Sequence, residues 1–97
     1  MGTSVKWRLV ITPKVQEAIT SLPPDTKRYI RRGLDLIRED PESGKELKDD
    51  LAGLRSLRTG RFRIVYRIDR RIITVLVVGV GPRKTIYHSI LSDIHAG

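Results

Sequence analysis

Residues 54–69 read Leu54-Arg55-Ser56-Leu57-Arg58-Thr59-Gly60-Arg61-Phe62-Arg63-Ile64-Val65-Tyr66-Arg67-Ile68-Asp69. Phe62, Ile64, Tyr66 and Ile68 fall on one side of the second run, and Arg61, Arg63, Val65 and Arg67 on the other. A period of two marks a half-buried strand, and a glycine between two such runs marks a tight turn. The stretch predicts an antiparallel hairpin of strands 54–59 and 61–69, with one apolar face for a core and one face of arginines. By parity Arg58, one strand over, shares the arginine face. Like charges at alternate positions repel. Solvent and acidic neighbours such as Asp69 relieve that repulsion, or a bound polyanion does.

Downstream, Asp69-Arg70-Arg71 turns the chain into 72–80, a run apolar on both sides. Such a strand belongs inside a sheet, covered on each face. Gly79, Gly81 and Pro82 are expected to end it. The tail from Lys84, with Ile86, Ile90, Leu91 and Ile94, predicts a short final strand followed by a helix. Upstream, the polar stretch 40–53, with Pro41, Gly44 and Gly53, predicts a loop.

Further upstream the period becomes helical. Thr12-Pro13 fits a helix N-cap followed by proline at the first helical position. Val15, Ala18, Ile19 and Leu22 then form one apolar stripe. Pro23-Pro24 ends that helix and opens another, with Asp25 where the helix dipole favours negative charge. Ile30, Leu34 and Ile37, flanked by Tyr29, Gly33 and Leu36, are expected to face inward. Arg28, Arg31, Arg32, Asp35 and Arg38 are expected to face outward. Alternation at Val5, Trp7, Leu9 and Ile11 predicts an opening strand. The fold class is α+β: an N-terminal strand, a two-helix hairpin, then a mostly antiparallel twisted sheet whose other face is open and concave. Residues 1–97 form one domain, with no internal repeat.

The chain has nineteen Lys and Arg against eleven Asp and Glu, a net charge of +8. A domain so basic attracts polyanions, so nucleic acid or an acidic protein is the expected partner. Arginine outnumbers lysine, thirteen to six, and planar guanidinium forks suit phosphate oxygens. There is no cysteine, which excludes disulfides and thiolate metal sites. The longest apolar run is far short of the roughly 20 residues that span a bilayer, and no signal peptide is legible. The expectation is a cytoplasmic protein with no membrane partner.

A second candidate group is Gly81-Pro82-Arg83-Lys84-Thr85-Ile86-Tyr87-His88. It follows the central strand, so Arg83 and Tyr87 emerge at the strand's C-terminal end. A guanidinium can stabilise a pentavalent phosphate, and a phenol can move a proton or stack on a base. Taken alone, Tyr87 is better read as a packing side chain. Gly79-Val80-Gly81 lacks the third glycine of a dinucleotide loop. His88 and His95 lack the companions of a zinc site. No metal and no small-molecule cofactor is expected.

Leu47-Lys48, Gly53-Leu54-Arg55, Leu57-Arg58-Thr59-Gly60, the following Arg61-Phe62-Arg63-Ile64-Val65-Tyr66, and the ending Val77 to Tyr87 together resemble the RelE/ParE toxins of type II toxin–antitoxin systems, nearer the RelE branch. The resemblance extends to the opening strand, the helix pair with Leu22-Pro23-Pro24 at its corner, and the sheet. It implies a ribosome-dependent mRNA endoribonuclease that inhibits translation and is neutralised by a cognate acidic antitoxin. Ribosome and mRNA are then its targets. In such enzymes the 2′-hydroxyl attacks the adjacent phosphate and leaves a 2′,3′-cyclic phosphate. Carried over by motif, Arg63 and Arg83 stabilise the phosphate and Tyr87 stacks or transfers a proton. Arg58, Arg61, Lys48 and Lys84 contact RNA. The sequence departs from the pattern at Leu54 and Ser56, where ribonuclease members carry lysines; Lys45 and Lys48, in the preceding loop, are the nearest substitutes. The alternative is a ParE-like, non-enzymatic inhibitor of DNA gyrase.

Overall fold

The computed structural model describes residues 6–96, and the side chains of 6–94; Val5, read as part of the opening strand, lies outside them. Strand β1 (Arg8–Ile11) leads into helices α1 (Pro13–Thr20) and α2 (Pro24–Glu39). Four strands, β2 (Lys45–Glu46), β3 (Arg55–Thr59), β4 (Phe62–Asp69) and β5 (Thr74–Pro82), precede helix α3 (Arg83–Ala96). The sheet order is β1-β5-β4-β3-β2. Only the β1–β5 pair is parallel. The helix pair thus carries the chain from one sheet edge to the other, and it packs on one face as it crosses.

The local signals act as their chemistry dictates. Thr12 caps α1 through its hydroxyl, which accepts from the Val15 N–H, and Pro13 opens the helix. Pro24 opens α2, with Asp25 in its first turn. Val15, Ile30 and Ile37 from the helices meet Ile64, Tyr66, Val75 and Val77 from the sheet in one buried cluster. Fully burying an aliphatic side chain of this size contributes about 1.5–3 kcal/mol. Gly33 lets α2 approach the sheet: a Cβ there would stand 2.7 Å from Ile64 Cδ1. Tyr29 and Leu36, expected inward, are 53% and 45% exposed.

Three features differ from expectation. First, the tail has no strand; it is one helix, α3, which covers the face expected to be open. Ile86 and Ile90 pack there on Val65. A Cβ on Gly79 would meet Ile90 Cδ1 at 2.8 Å and Ile86 Cδ1 at 3.0 Å. Gly79 and Gly81 therefore lie within β5 as the seat of a helix and do not terminate the strand. Second, β5 runs from Thr74 to Pro82, while Ile72 and Ile73 lie exposed in the preceding turn. Val65 pairs with Gly79 and Tyr66 with Val77, so Val78 is an extra residue. Such a bulge breaks the simple alternation of the strand. Third, the 40–53 loop contains the short edge strand β2, which pairs with β3.

That loop is pinned by Tyr66. Its buried hydroxyl donates to the Pro41 carbonyl at 2.5 Å and accepts the Gly44 N–H at 2.9 Å. Burial raises the phenol pKa above its ordinary 10.0, against the lowering effects of the Gly44 and Ser43 hydrogen bonds. Tyr66→Phe leaves both partners unsatisfied, at an expected cost of about 1–3 kcal/mol, readable by urea denaturation. The unfolded phenol ionises near its ordinary pKa while the folded one keeps its proton. Its contribution is therefore fully present below that pKa and declines as pH rises towards the folded value. The stability gap between parent and Tyr66→Phe should narrow in that alkaline window. Among the described residues, no helix is long and apolar enough to cross a membrane.

Candidate nucleic-acid interface

Strand register sets the site. Arg58 of β3 lies directly opposite Arg63 of β4, and Arg63 opposite Gly81 of β5. Directly opposed like charges are unfavourable in a sheet unless something neutralises them. Arg83, the first residue of α3, follows β5 without a linker. Arg58, Gly60, Arg61, Phe62, Arg63, Pro82, Arg83 and Lys84 together line a cleft of about 460 Å³. Five of these are cations and none is an acid. None of the five has an ion-pair partner among the described residues; the pairs found there engage Lys14, Arg28, Arg55 and Arg70. Asp69, the acidic neighbour considered from sequence, instead accepts the Arg71 N–H.

The first N–H groups of α3 have no partner within the helix and open beside Arg83, where they add positive potential. Arg63 Nε is buried without a hydrogen-bond partner. An orphaned buried donor costs roughly 1–3 kcal/mol. Five cations without an acid give the cleft a positive potential that attracts anions.

Tyr87 stands one helical turn beyond Arg83, on the same face of α3. The Arg63 guanidinium carbon is 6.0 Å from its ring centroid, at the outer reach of a cation–π contact. Its hydroxyl donates to Ser56 Oγ at 3.0 Å, and Ser56 is only 3% exposed. Tyr87 therefore flanks the cleft through Arg63 and is not part of its lining. Its partner Ser56 is 31 residues away in sequence, and no local pattern announces such a contact.

Of the residues named from sequence, the structure brings Arg58, Arg61, Arg63, Arg83 and Lys84 together in the cleft. Lys48 does not join them; it precedes the 3-10 turn Asp49–Leu51. Lys45 pairs with Ser56 across β2–β3, so register places it, and not Lys48, beside the Tyr87–Ser56 contact. Arg55 points to the opposite face, as alternation requires. It donates to the Gly44 carbonyl at 2.8 Å and pairs with Glu46 at 3.0 Å. His88 is exposed and lies on α3.

The chain is similar to several known proteins. A family model described as the ParE toxin of type II toxin–antitoxin systems matches residues 9–87. Toxin RelG of Mycobacterium tuberculosis is 45% identical over 53 residues, which cover 55% of this chain and 61% of that toxin. The match thus spans about three-fifths of that relative's length. The toxin–antitoxin complex RelBE2 of M. tuberculosis contains a chain that superposes with a TM-score of 0.74 at 30% identity, over 81% of this chain and 100% of that one. A mutant of the Escherichia coli toxin RelE in the free state superposes with a TM-score of 0.71 at 17% identity, over 91% of this chain and 93% of that one, a likeness of fold alone. On the family match and the RelBE2 relative, the chain belongs to the ParE toxin family of type II toxin–antitoxin systems and has the RelE/ParE toxin fold.

Proposed function

We propose that this toxin is a ribosome-dependent mRNA endoribonuclease. It acts in the cytoplasm as a single domain spanning residues 1–97 and is silenced by an acidic antitoxin. The observation that carries this reading is the acid-free cleft in which Arg58, Arg61, Arg63, Arg83 and Lys84 converge. In-line attack by a 2′-hydroxyl builds negative charge on a phosphorane, and fixed guanidinium groups stabilise that charge most in the transition state. Arg63 and Arg83 hold the scissile phosphate, and Tyr87 orders the attacking nucleotide by stacking or by moving a proton. Arg58, Arg61 and Lys84 bind the flanking phosphates, and Lys48 binds RNA outside the cleft. The 2′-oxygen loses its proton and bonds to phosphorus as the bond from phosphorus to the 5′-oxygen breaks, and the leaving 5′-oxygen takes up a proton; the products are a 2′,3′-cyclic phosphate and a 5′-hydroxyl.

Such binding is dominated by phosphate neutralisation, so affinity should fall with salt in a log–log line. Arg58→Ala and Arg61→Ala should each weaken binding to all sequences alike. Each should also flatten the slope by a little under one unit, the amount expected for one phosphate left without its cation. Fluorescence anisotropy with single-stranded RNA over a salt series reads both quantities. An unchanged slope in both variants would remove these residues from the footprint.

A second reading, a non-enzymatic inhibitor of DNA gyrase, is favoured by one observation. The position where a ribonuclease of this type carries a strand lysine is here Ser56, buried and occupied by the Tyr87 hydroxyl. A gyrase supercoiling assay run beside an mRNA cleavage assay separates the two.

A further inference from the structure

Tyr29 is an unexplained aromatic. Of the three tyrosines, Tyr66 is fully buried and Tyr87 is bonded to Ser56, whereas Tyr29 is 53% exposed on α2. Its position is not arbitrary. The ring lies against the tip of the β3–β4 hairpin: a Cβ on Gly60 would stand 3.9 Å from Tyr29 Cγ, ordinary van der Waals contact. Gly60 adopts φ +63, the left-handed conformation the turn requires, and it lines the cationic cleft between Arg58 and Arg61. The Arg58 Nε donates to the Gly60 carbonyl at 3.4 Å. The aromatic ring therefore borders the cleft across a single residue that has no side chain of its own. On the other side, Arg32, one turn further along α2, shares Tyr29's face and is exposed. An exposed ring flanked by cations, beside a cationic groove, is the arrangement that binds unpaired bases: the ring stacks on the base while the guanidinium groups track the backbone.

We infer that Tyr29 is a stacking site for one unpaired nucleobase of single-stranded RNA, next to the nucleotide whose phosphate occupies the cleft. The inference rests on the nuclease reading for its substrate. It adds a subsite on α2 to a site otherwise built from the sheet and α3. The strand leaves the cleft over the Gly60 turn, lays a base on the Tyr29 ring, and continues along Arg32. Packing against the hairpin tip leaves Tyr29 about half exposed, with ring surface free to meet a base.

The test uses the full chain and a single-stranded 2′-O-methyl RNA nonamer, which cannot undergo 2′-hydroxyl attack. Dissociation constants are read by anisotropy at low salt. Tyr29→Ala should weaken binding about tenfold, within the range of base–aromatic stacking, while Tyr29→Phe binds like the parent. Replacing the nucleotides one at a time by abasic residues should find one position where the parent loses about tenfold and Tyr29→Ala loses nothing more, a coupling that only direct contact produces. Tyr29→Ala, being exposed, should keep the parent's thermal midpoint, which is measured alongside. Equal losses for parent and variant at every abasic position overturn the inference, as does unaltered RNA affinity in Tyr29→Ala. It is also overturned if Tyr29→Ala weakens only the complex with the antitoxin, which would make the ring a protein contact. Whether the parent cuts mRNA on ribosomes is measured separately and bears on the nuclease reading alone.

Discussion

Arg83→Ala should lower the single-turnover cleavage rate by about a hundredfold or more, near 3 kcal/mol, with little change in ribosome binding. Arg83 begins α3 where β5 ends and shares the cleft with Arg63; under the nuclease reading its guanidinium meets the singly charged phosphate in the ground state and the added charge of the phosphorane in the transition state. An interaction that strengthens in the transition state lowers the rate constant more than it weakens ground-state binding. Tyr87→Phe separates two roles for the neighbouring phenol. If the ring only stacks, Phe preserves most of the rate; if the hydroxyl moves a proton, the loss approaches that of Arg83→Ala. An intermediate loss is expected, because the hydroxyl's hydrogen bond to Ser56 fixes the ring's position even when no proton moves. Rapid-quench cleavage on programmed ribosomes, at saturating toxin, reads each variant.

Gly44→Ala should be the most damaging small substitution. A Cβ there would overlap the Tyr66 hydroxyl and approach its ring carbons Cε1 and Cζ at 2.9 Å. A buried ring cannot swing aside as a flexible side chain can. The substitution must also lengthen or break the hydrogen bond from the Gly44 N–H to the phenol oxygen. Overpacking and the broken bond together should cost about 3 kcal/mol. In a domain of this length that lowers Tm by roughly 12–24 °C. Calorimetry decides the matter. Tyr66→Phe combined with Gly44→Ala should lose less than the sum of the two, since removing the hydroxyl makes room for the methyl group. Strict additivity would show that the two residues do not meet.

The fold was legible wherever local chemistry decides it. Gly60 between two alternating runs gave the hairpin, and Thr12-Pro13 and Pro23-Pro24 gave the helix pair. The parity of Arg58, Arg61 and Arg63 gave most of the cleft. What stayed hidden depends on contacts between distant residues. Gly79 and Gly81 read as strand breakers because their purpose, to seat Ile86 and Ile90, exists only once α3 is in place. The spacing of those two isoleucines, four residues apart, was the available sign of a helix. Strand β2 is two residues long and exists only through its pairing with Ser56 and Arg55. Val78 broke the alternation of β5 by a bulge that pairing alone reveals. Tyr29, read from sequence as flanking the inward stripe of Ile30, Leu34 and Ile37, lies against the hairpin tip at Gly60.

Whether the cleft cuts RNA is read by primer extension on mRNA in a translating extract after addition of the toxin, with gyrase supercoiling assayed in parallel. The proposed nuclease leaves cuts within codons held in the ribosomal A site, ending in 2′,3′-cyclic phosphate and abolished in Arg83→Ala, while supercoiling continues. Intact mRNA together with arrested supercoiling would contradict the nuclease reading.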